Sequence, residues 1–160
     1  MEVVGSMLIN IQSASLEDIS RIAEIDKTCL PYDYWNEKSI EYAINHLEDT
    51  SYRYIFLKAV DDSNTIMGYL IATLVAEDCE IHSIAVDIPY RRNGIAETLF
   101  KQLEFEVFGI ATNIYLEVRK SNISAQKLYQ KINFQIVGER KNYYDYPREN
   151  AILMMKSLTF

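Results

Sequence analysis

The chain has 160 residues, a formal net charge of −7, 49% hydrophobic and 24% charged side chains. That length makes one domain, taken here as 1–160, with room for a real core, and the proportions are globular. The negative balance argues against broad nucleic-acid binding, because little of the surface would neutralise phosphates, and it tolerates a cationic substrate instead.

No apolar run is long enough to span a bilayer and no signal-peptide pattern opens the chain, so a cytoplasmic location and no membrane contact are expected. Cys29 and Cys79 lack metal-type spacing and read as buried reduced thiols rather than a disulfide. His46 and His82 are too few and too far apart for a zinc site, so no metal is expected.

Met7 is an alternative start, and residues 1–6 are left outside the expected fold. Residues 8–11 read as a short strand. Ser15 and Asp18 are spaced like a capping box, and Leu16, Ile19, Ile22 and Ala23 then mark one face of a helix that Leu30-Pro31 ends. The aromatic loop 32–35 follows, and Asn36 caps a second helix to about Leu47. Strands are predicted over 52–60, 66–76 and 79–86, the first two joined by a hairpin turn at 61–64.

After the third of these strands comes Arg91-Arg92-Asn93-Gly94-Ile95-Ala96, a short basic turn opening a helix. Such a turn presents backbone N–H groups at a helix N-terminus, where the dipole favours phosphate. Gly94 allows close approach of the backbone, Ala96 keeps the next contact small, and Arg91 and Arg92 add charge-assisted hydrogen bonds. A basic surface turn without a ligand is the other reading of these six residues.

Ile95, Leu99, Leu103 and Val107, with Ala96 and Phe100 alongside, form the apolar face of the helix. Residues 113–118 are a strand, Ile123, Leu128 and Ile132 face inward on a further helix, and strands at 134–138 and 151–158 close the chain. The order β-α-α-β-β-β-α-β-α-β-β predicts an α/β (α+β) fold, a mixed, mostly antiparallel seven-stranded sheet with helices on both faces.

The segments Ser83-Ile84-Ala85-Val86, Tyr90 to Ala96, Leu116-Glu117-Val118-Arg119, Ser121-Asn122, Ala125 and Leu128 to Phe134 together resemble the GNAT superfamily of N-acetyltransferases. Within it the chain looks most like the N-terminal protein acetyltransferases of the RimI and archaeal NatA-like type. The likeness covers nearly the whole chain and is strongest from about 79 to 144.

The resemblance implies acetyl transfer from acetyl-CoA to an amine. The turn Arg91, Arg92, Asn93, Gly94, Ile95 and Ala96 would hold the pyrophosphate, and the pantetheine arm would pair with the backbone of Ile84, Ala85 and Val86, where two neighbouring strands splay. Asn122 at the mouth of that gap either contacts the arm or caps the following helix, and both roles are compatible. Lys131 lies toward the 3′-phosphate region. Tyr129 takes the position of the acid that protonates the departing thiolate, with a plain core tyrosine as the alternative.

Glu117 matches the family's glutamate in Leu-Glu-Val-Arg and reads as the general base. Glu80 stands on the neighbouring strand, where relatives tend to carry His or Tyr, and the two carboxylates can share a water. Such a weak base suits an α-amine of pKa about 8 better than a lysine near 10.4. Leu30, Pro31, Tyr32 and Asp33 lie where the family places its first acceptor loop. Asp33 is either a partner for the α-ammonium or a solvated loop residue. Tyr143 and Tyr144 match a pair that binds the acceptor backbone.

The acceptors so implied are protein or nascent-chain N-termini, with the ribosome or an auxiliary subunit as candidate partners. A small amine, a lysine side chain, or a non-catalytic CoA-binding module are the competing readings. Transfer is expected to be direct, because Cys79 is the only thiol expected near the site and no histidine is placed to activate it.

Overall fold

A computed structural model describes the backbone of residues 2–4 and 7–158 and the side chains of 7–158. One sheet runs through it, with strands β1 (Glu2–Val4), β2 (Met7–Ser13), β3 (Arg53–Val60), β4 (Ile66–Val75), β5 (Asp78–Val86), β6 (Asn113–Arg119), β7 (Gln135–Asp145) and β8 (Arg148–Ser157). They lie in the order β1-β2-β3-β4-β5-β6-β8-β7. Every neighbouring pair is antiparallel except β5 and β6. Helices α1 (Ile19–Cys29) and α2 (Glu37–Ile44) cover one face, and α3 (Ile95–Val107) packs on the other. The fourth helix, α4 (Ile123–Lys131), joins β6 to β7.

All seven expected strands form. The eighth, β1, pairs with β2 from Val4↔Met7 to Glu2↔Ile9, inside the segment left out of the sequence argument. Residues 1, 5 and 6 lie outside the described residues. Three residues give too little periodicity to mark a strand.

The helix faces hold with two corrections. Leu16 is 54% exposed because it precedes α1 in a 3-10 turn, and Ile25 and Asp26 join Ile22 on the buried side instead. Ile123, the first residue of α4, is 52% exposed, while Tyr129 is buried. Asn36 caps α2 as expected, its Oδ1 accepting the Ser39 N–H at 2.8 Å, but the helix stops at Ile44. The strand predicted at 134–138 is much longer and runs to Asp145, and the last begins three residues early at Arg148, so the two meet at a turn after Asp145. The residues from 139 to 150 are polar on both faces of a largely exposed hairpin, so no alternation betrays them.

Two features of the sheet open the site. Pairing between β5 and β6 runs only from Asp78↔Asn113 to Ile81↔Leu116, although β5 continues to Val86 and β6 to Arg119. Against β4 the register of β5 slips between Ile71 and Ala72, leaving His82 as an extra residue. Such a bulge bends its strand and ends regular pairing. The two parallel strands therefore splay where Ile84–Val86 and Arg119 begin, as the sequence reading expected.

Candidate active site

A cavity of about 470 Å³ lies against the splayed end of β5. Ile84, Ala85 and Val86 form one wall, Arg91, Arg92, Gly94, Ile95 and Ala96 close one end, and Asn122 and Tyr129 stand on the α4 side. The backbone makes the anion end. Arg92 and Gly94 adopt positive φ of 66° and 74°, and the Arg91 N–H is bonded to the Ile88 carbonyl at 3.3 Å. Beyond it the first-turn N–H groups of α3 have no partner within the helix and point outward at its positive end.

Two of the predicted donor-side residues have side chains outside the cavity wall. Asn93 turns away from the cavity: its Nδ2 donates to the carbonyls of Tyr90 at 2.9 Å and Arg91 at 3.2 Å, which fixes the turn. Lys131 is not in the cavity wall, and its Nζ lies 2.9 Å from Glu97, so it ties α4 to the first turn of α3. Arg91 folds back along the wall, where its Nε donates to the Val86 carbonyl at 3.1 Å and its Nη2 lies 3.5 Å from the Cys29 sulfur. Asn122 caps α4 through Oδ1, which accepts the Ala125 N–H at 3.2 Å.

A second cavity of about 330 Å³ adjoins the first. Both are lined by Leu30, Ile84, Asn122, Ala125 and Tyr129, so these five side chains mark the junction. The second cavity adds Asp33, Glu80, Glu117, Tyr143 and Tyr144. It thus brings together five of the seven predicted acceptor-side and base residues beyond the junction, leaving Pro31 and Tyr32 outside. Tyr32 instead packs edge-on against Tyr146, with ring centroids 5.5 Å apart.

Tyr129 packs edge-on against Phe100 at 5.8 Å, and burial pushes its phenol up to about 12. Glu117 is ion-paired with Arg140 at 3.1 Å and accepts a hydrogen bond from the Tyr143 hydroxyl. Among the described residues Glu80 enters no ion pair. His82 lines the same cavity and sits 2.7 Å from the Thr73 hydroxyl. Burial lowers its pKa against the opposing pull of Glu80 and Glu117, which leaves it neutral at neutral pH. Tyr144 is raised by burial and by the carboxylates of Asp33 and Glu117.

The sequence reading missed the residues that hold this cavity in shape. Arg119 grips Asp33 with both arms, at 2.7 and 3.0 Å, and also donates to the carbonyls of Pro147 at 2.8 Å and Tyr146 at 3.1 Å. Its guanidinium lies 4.3 Å from the centre of the Tyr144 ring. The loop at 30–35 and the β7–β8 turn are thereby latched together, and Asp33 is engaged rather than free for an ammonium.

Asp26 is the second anchor. Its buried carboxylate accepts from the Trp35 N–H at 2.5 Å, from the Ser83 hydroxyl at 3.2 Å and from the Tyr69 hydroxyl. Its place on the apolar face of α1, four residues after Ile22, was the available signal.

The thiol nearest the donor cavity is also corrected. Cys29, half-buried, lines that cavity, whereas Cys79 is fully buried in the α3-side core with its pKa pushed up to about 12. Neither lines the second cavity. Among the described residues no cluster of three or more His, Cys, Asp or Glu could hold a metal. No helix there is long and apolar enough to cross a membrane.

A splayed parallel pair, an amide-rich helix start beside it and an adjoining cavity with a buried phenol define an acyl-CoA-dependent transferase. The family model described as "Acetyltransferase (GNAT) family" matches residues 17–134, and the chain belongs to that family. Acetyl-CoA is its acetyl donor.

The chain is 31% identical over 151 residues to the [ribosomal protein bS18]-alanine N-acetyltransferase of Haemophilus ducreyi, covering 90% of this chain and 97% of that protein. It is 33% identical over 165 residues to an N-alpha-acetyltransferase of Saccharolobus solfataricus, covering 92% of each. The crystal structure of the ribosomal-protein-S18-alanine N-acetyltransferase from Escherichia coli superposes with a TM-score of 0.82 at 26% identity, over 96% of both chains.

Proposed function

We propose that the protein transfers the acetyl group of acetyl-CoA directly to the α-amino group of protein or nascent-chain N-termini. The observation that carries this reading is the junction of the two cavities at Tyr129, with carboxylates and a tyrosine pair on the acceptor side. When bound, acetyl-CoA supplies an activated thioester. The remaining work falls to this chain's own groups.

The turn from Arg91 to Ala96 takes the pyrophosphate on backbone amides, and Ile84, Ala85 and Val86 offer an unpaired strand edge to the pantetheine amides. Asn122 keeps its Nδ2 for the arm while its Oδ1 caps α4. On the acceptor side Leu30 and Asp33 of the latched loop, whose Pro31 and Tyr32 stand outside the cavity, face Tyr143 and Tyr144, so an extended chain end lies between two walls. Glu80 and Glu117 take the proton from the α-ammonium through a shared water, with Arg140 and Tyr143 orienting Glu117. The amine nitrogen then bonds to the acetyl carbon as the C–S bond breaks, Tyr129 gives its hydroxyl proton to the departing sulfur, and the second proton that the nitrogen sheds restores the phenol.

No acyl-enzyme is required, because among the described residues no thiol lines the acceptor cavity. Lys131 and Asn93 support the donor groove by holding α4 and the turn. Residues 1–160 act as one acetyltransferase domain, supported by a sheet that runs without interruption from β1 to β7. The relatives named for bS18 make ribosomal proteins a candidate acceptor class. The ribosome, or an auxiliary subunit, is the partner we propose, with the cytoplasm as the location.

The test is a matched set of peptides with acetyl-CoA, one with free Ser, Ala, Thr or Met N-termini and the other N-blocked with an internal lysine. Turnover on the free N-termini alone supports the reading. Turnover only on the blocked set would replace it with lysine acetylation, and turnover on neither, with acetyl-CoA still bound, would point to a small amine or a binding module.

A further inference from the structure

The face of the sheet covered by α1 and α2 is left open beyond the acceptor cavity. A cavity of about 340 Å³ shares Glu80, Leu116 and Glu117 with the acceptor cavity and continues past Tyr115 and Asp78 to Tyr52. From there a row of rings runs on: Tyr52 to Tyr54 at 5.6 Å and Tyr54 to Tyr42 at 6.0 Å. Tyr42 and Tyr54 belong to a further groove of about 540 Å³ along the start of α2. Tyr42 and Tyr52 are 56% and 48% exposed.

The charges along this strip are unequal. Asp78, Glu80 and Glu117 line the middle cavity against one cation, Arg140, which is already paired with Glu117. Among the described residues neither Asp78 nor Glu80 enters an ion pair, and His82 beside them is neutral at neutral pH. Lys38 stands at the far end of the strip.

We infer that this strip docks the acceptor polypeptide beyond its first three residues, and that it selects segments rich in arginine or lysine. The inference rests on the N-terminal acceptor reading and adds a second determinant to it. Crossing from β6 to β3 spans three strand spacings of about 4.8 Å, roughly 14 Å, which four to five extended residues cover at about 3.4 Å each. A guanidinium there stacks on the tyrosine faces while Asp78 and Glu80 supply the counter-charge. The strip continues directly from the cavity that holds the reacting end, so the same chain reaches both.

The experiment compares kcat/KM for three peptides with one shared free N-terminal tripeptide. These are the tripeptide amide, a decapeptide with arginines at alternate positions from the fourth, and the same decapeptide with serines there. The arginine peptide is expected to exceed the serine peptide by about tenfold at low salt, with the advantage shrinking as salt rises. The double variant Tyr52→Ala, Asp78→Asn, both exposed positions, brings the two decapeptides to within about twofold of each other, a much larger loss than the tripeptide shows. Equal rates for the two decapeptides in the native protein would overturn the inference, and so would an arginine advantage that the variant keeps whole. Failure of the tripeptide and both decapeptides alike would instead remove the N-terminal acceptor reading beneath it.

Discussion

Replacing Tyr129 with Phe removes one hydroxyl and keeps the ring that packs against Phe100 and Phe134, at centroid distances of 5.8 and 6.0 Å. Stability should change by no more than about 1 kcal/mol, the net worth of one hydrogen bond. The phenol is held near 12 by burial, so at pH 8 about one part in ten thousand is ionised. Such a group donates a proton and does not accept one. General acid catalysis is worth about 10²- to 10⁴-fold in rate, or roughly 3–5 kcal/mol of barrier at about 1.4 kcal/mol per decade. Tyr129→Phe should therefore lower kcat by at least about 100-fold while KM for acetyl-CoA moves by less than about threefold. Because the phenol does not titrate below pH 9, the native and variant kcat profiles should run parallel from pH 6 to 9. Steady-state release of CoA thiol with a free-N-terminus peptide measures all three quantities, with a thermal melt as the control for folding. A kcat within about threefold of native would refute the assignment, and a rise in KM for acetyl-CoA alone would make Tyr129 a wall of the donor groove.

Other expectations follow from the same geometry. Glu80→Gln and Glu117→Gln should each lower kcat by roughly tenfold and together by clearly more, because the pair shares one proton path; a single variant as slow as the double would identify one base. Arg119→Ala severs the latch between Asp33 and the 146–147 carbonyls. It should raise KM for the peptide by about tenfold with little change for acetyl-CoA, and Arg119→Lys should recover little of it because the fork is lost; equal changes in both KM values would contradict the latch. Asp26→Ala leaves the Trp35 N–H and the Ser83 and Tyr69 hydroxyls without their acceptor. After the relief of removing a buried carboxylate, the net cost should be about 2–3 kcal/mol, a fall in Tm of roughly 4–12 °C for a domain of this size. Burial raises the Asp26 pKa above 3.8, so between that value and the raised one the folded state holds more protons than the unfolded chain. Its contribution is full below pH 3.8 and is lost as pH rises through the folded value. Asp26→Asn should therefore gain on the native protein as pH climbs from about 4, and a urea-denaturation difference that is flat with pH would sink the argument.

The order of elements could be read because each carries its own period. The four-residue steps from Ile95 to Val107 and the turn before Gly94 fall where the structure has them. The donor groove was legible for the same reason: its residues sit in two short contiguous segments around one turn. The acceptor cavity was legible only as a set of residue types. Asp33 and Arg119 are 86 residues apart, and nothing local announces that they pair. Asp26 looks like any helix carboxylate until Tyr69 and Ser83 close over it from the sheet. Cys29 was passed over for Cys79 because α1 returns to the end of β5 only in three dimensions, where its thiol meets the Val86 carbonyl at 3.5 Å. The long β7–β8 hairpin stayed hidden because exposed strands carry no apolar alternation.

The measurement that tests the central claim most directly uses one peptide carrying both a free N-terminus and an internal lysine. After incubation with the protein and acetyl-CoA at pH 7, fragment-ion mass spectrometry locates the acetyl group. The account predicts acetyl on the α-nitrogen with the lysine unmodified, because the carboxylate pair is a base weak enough to require an amine of pKa about 8. Acetyl on the lysine with the N-terminus left free would contradict it.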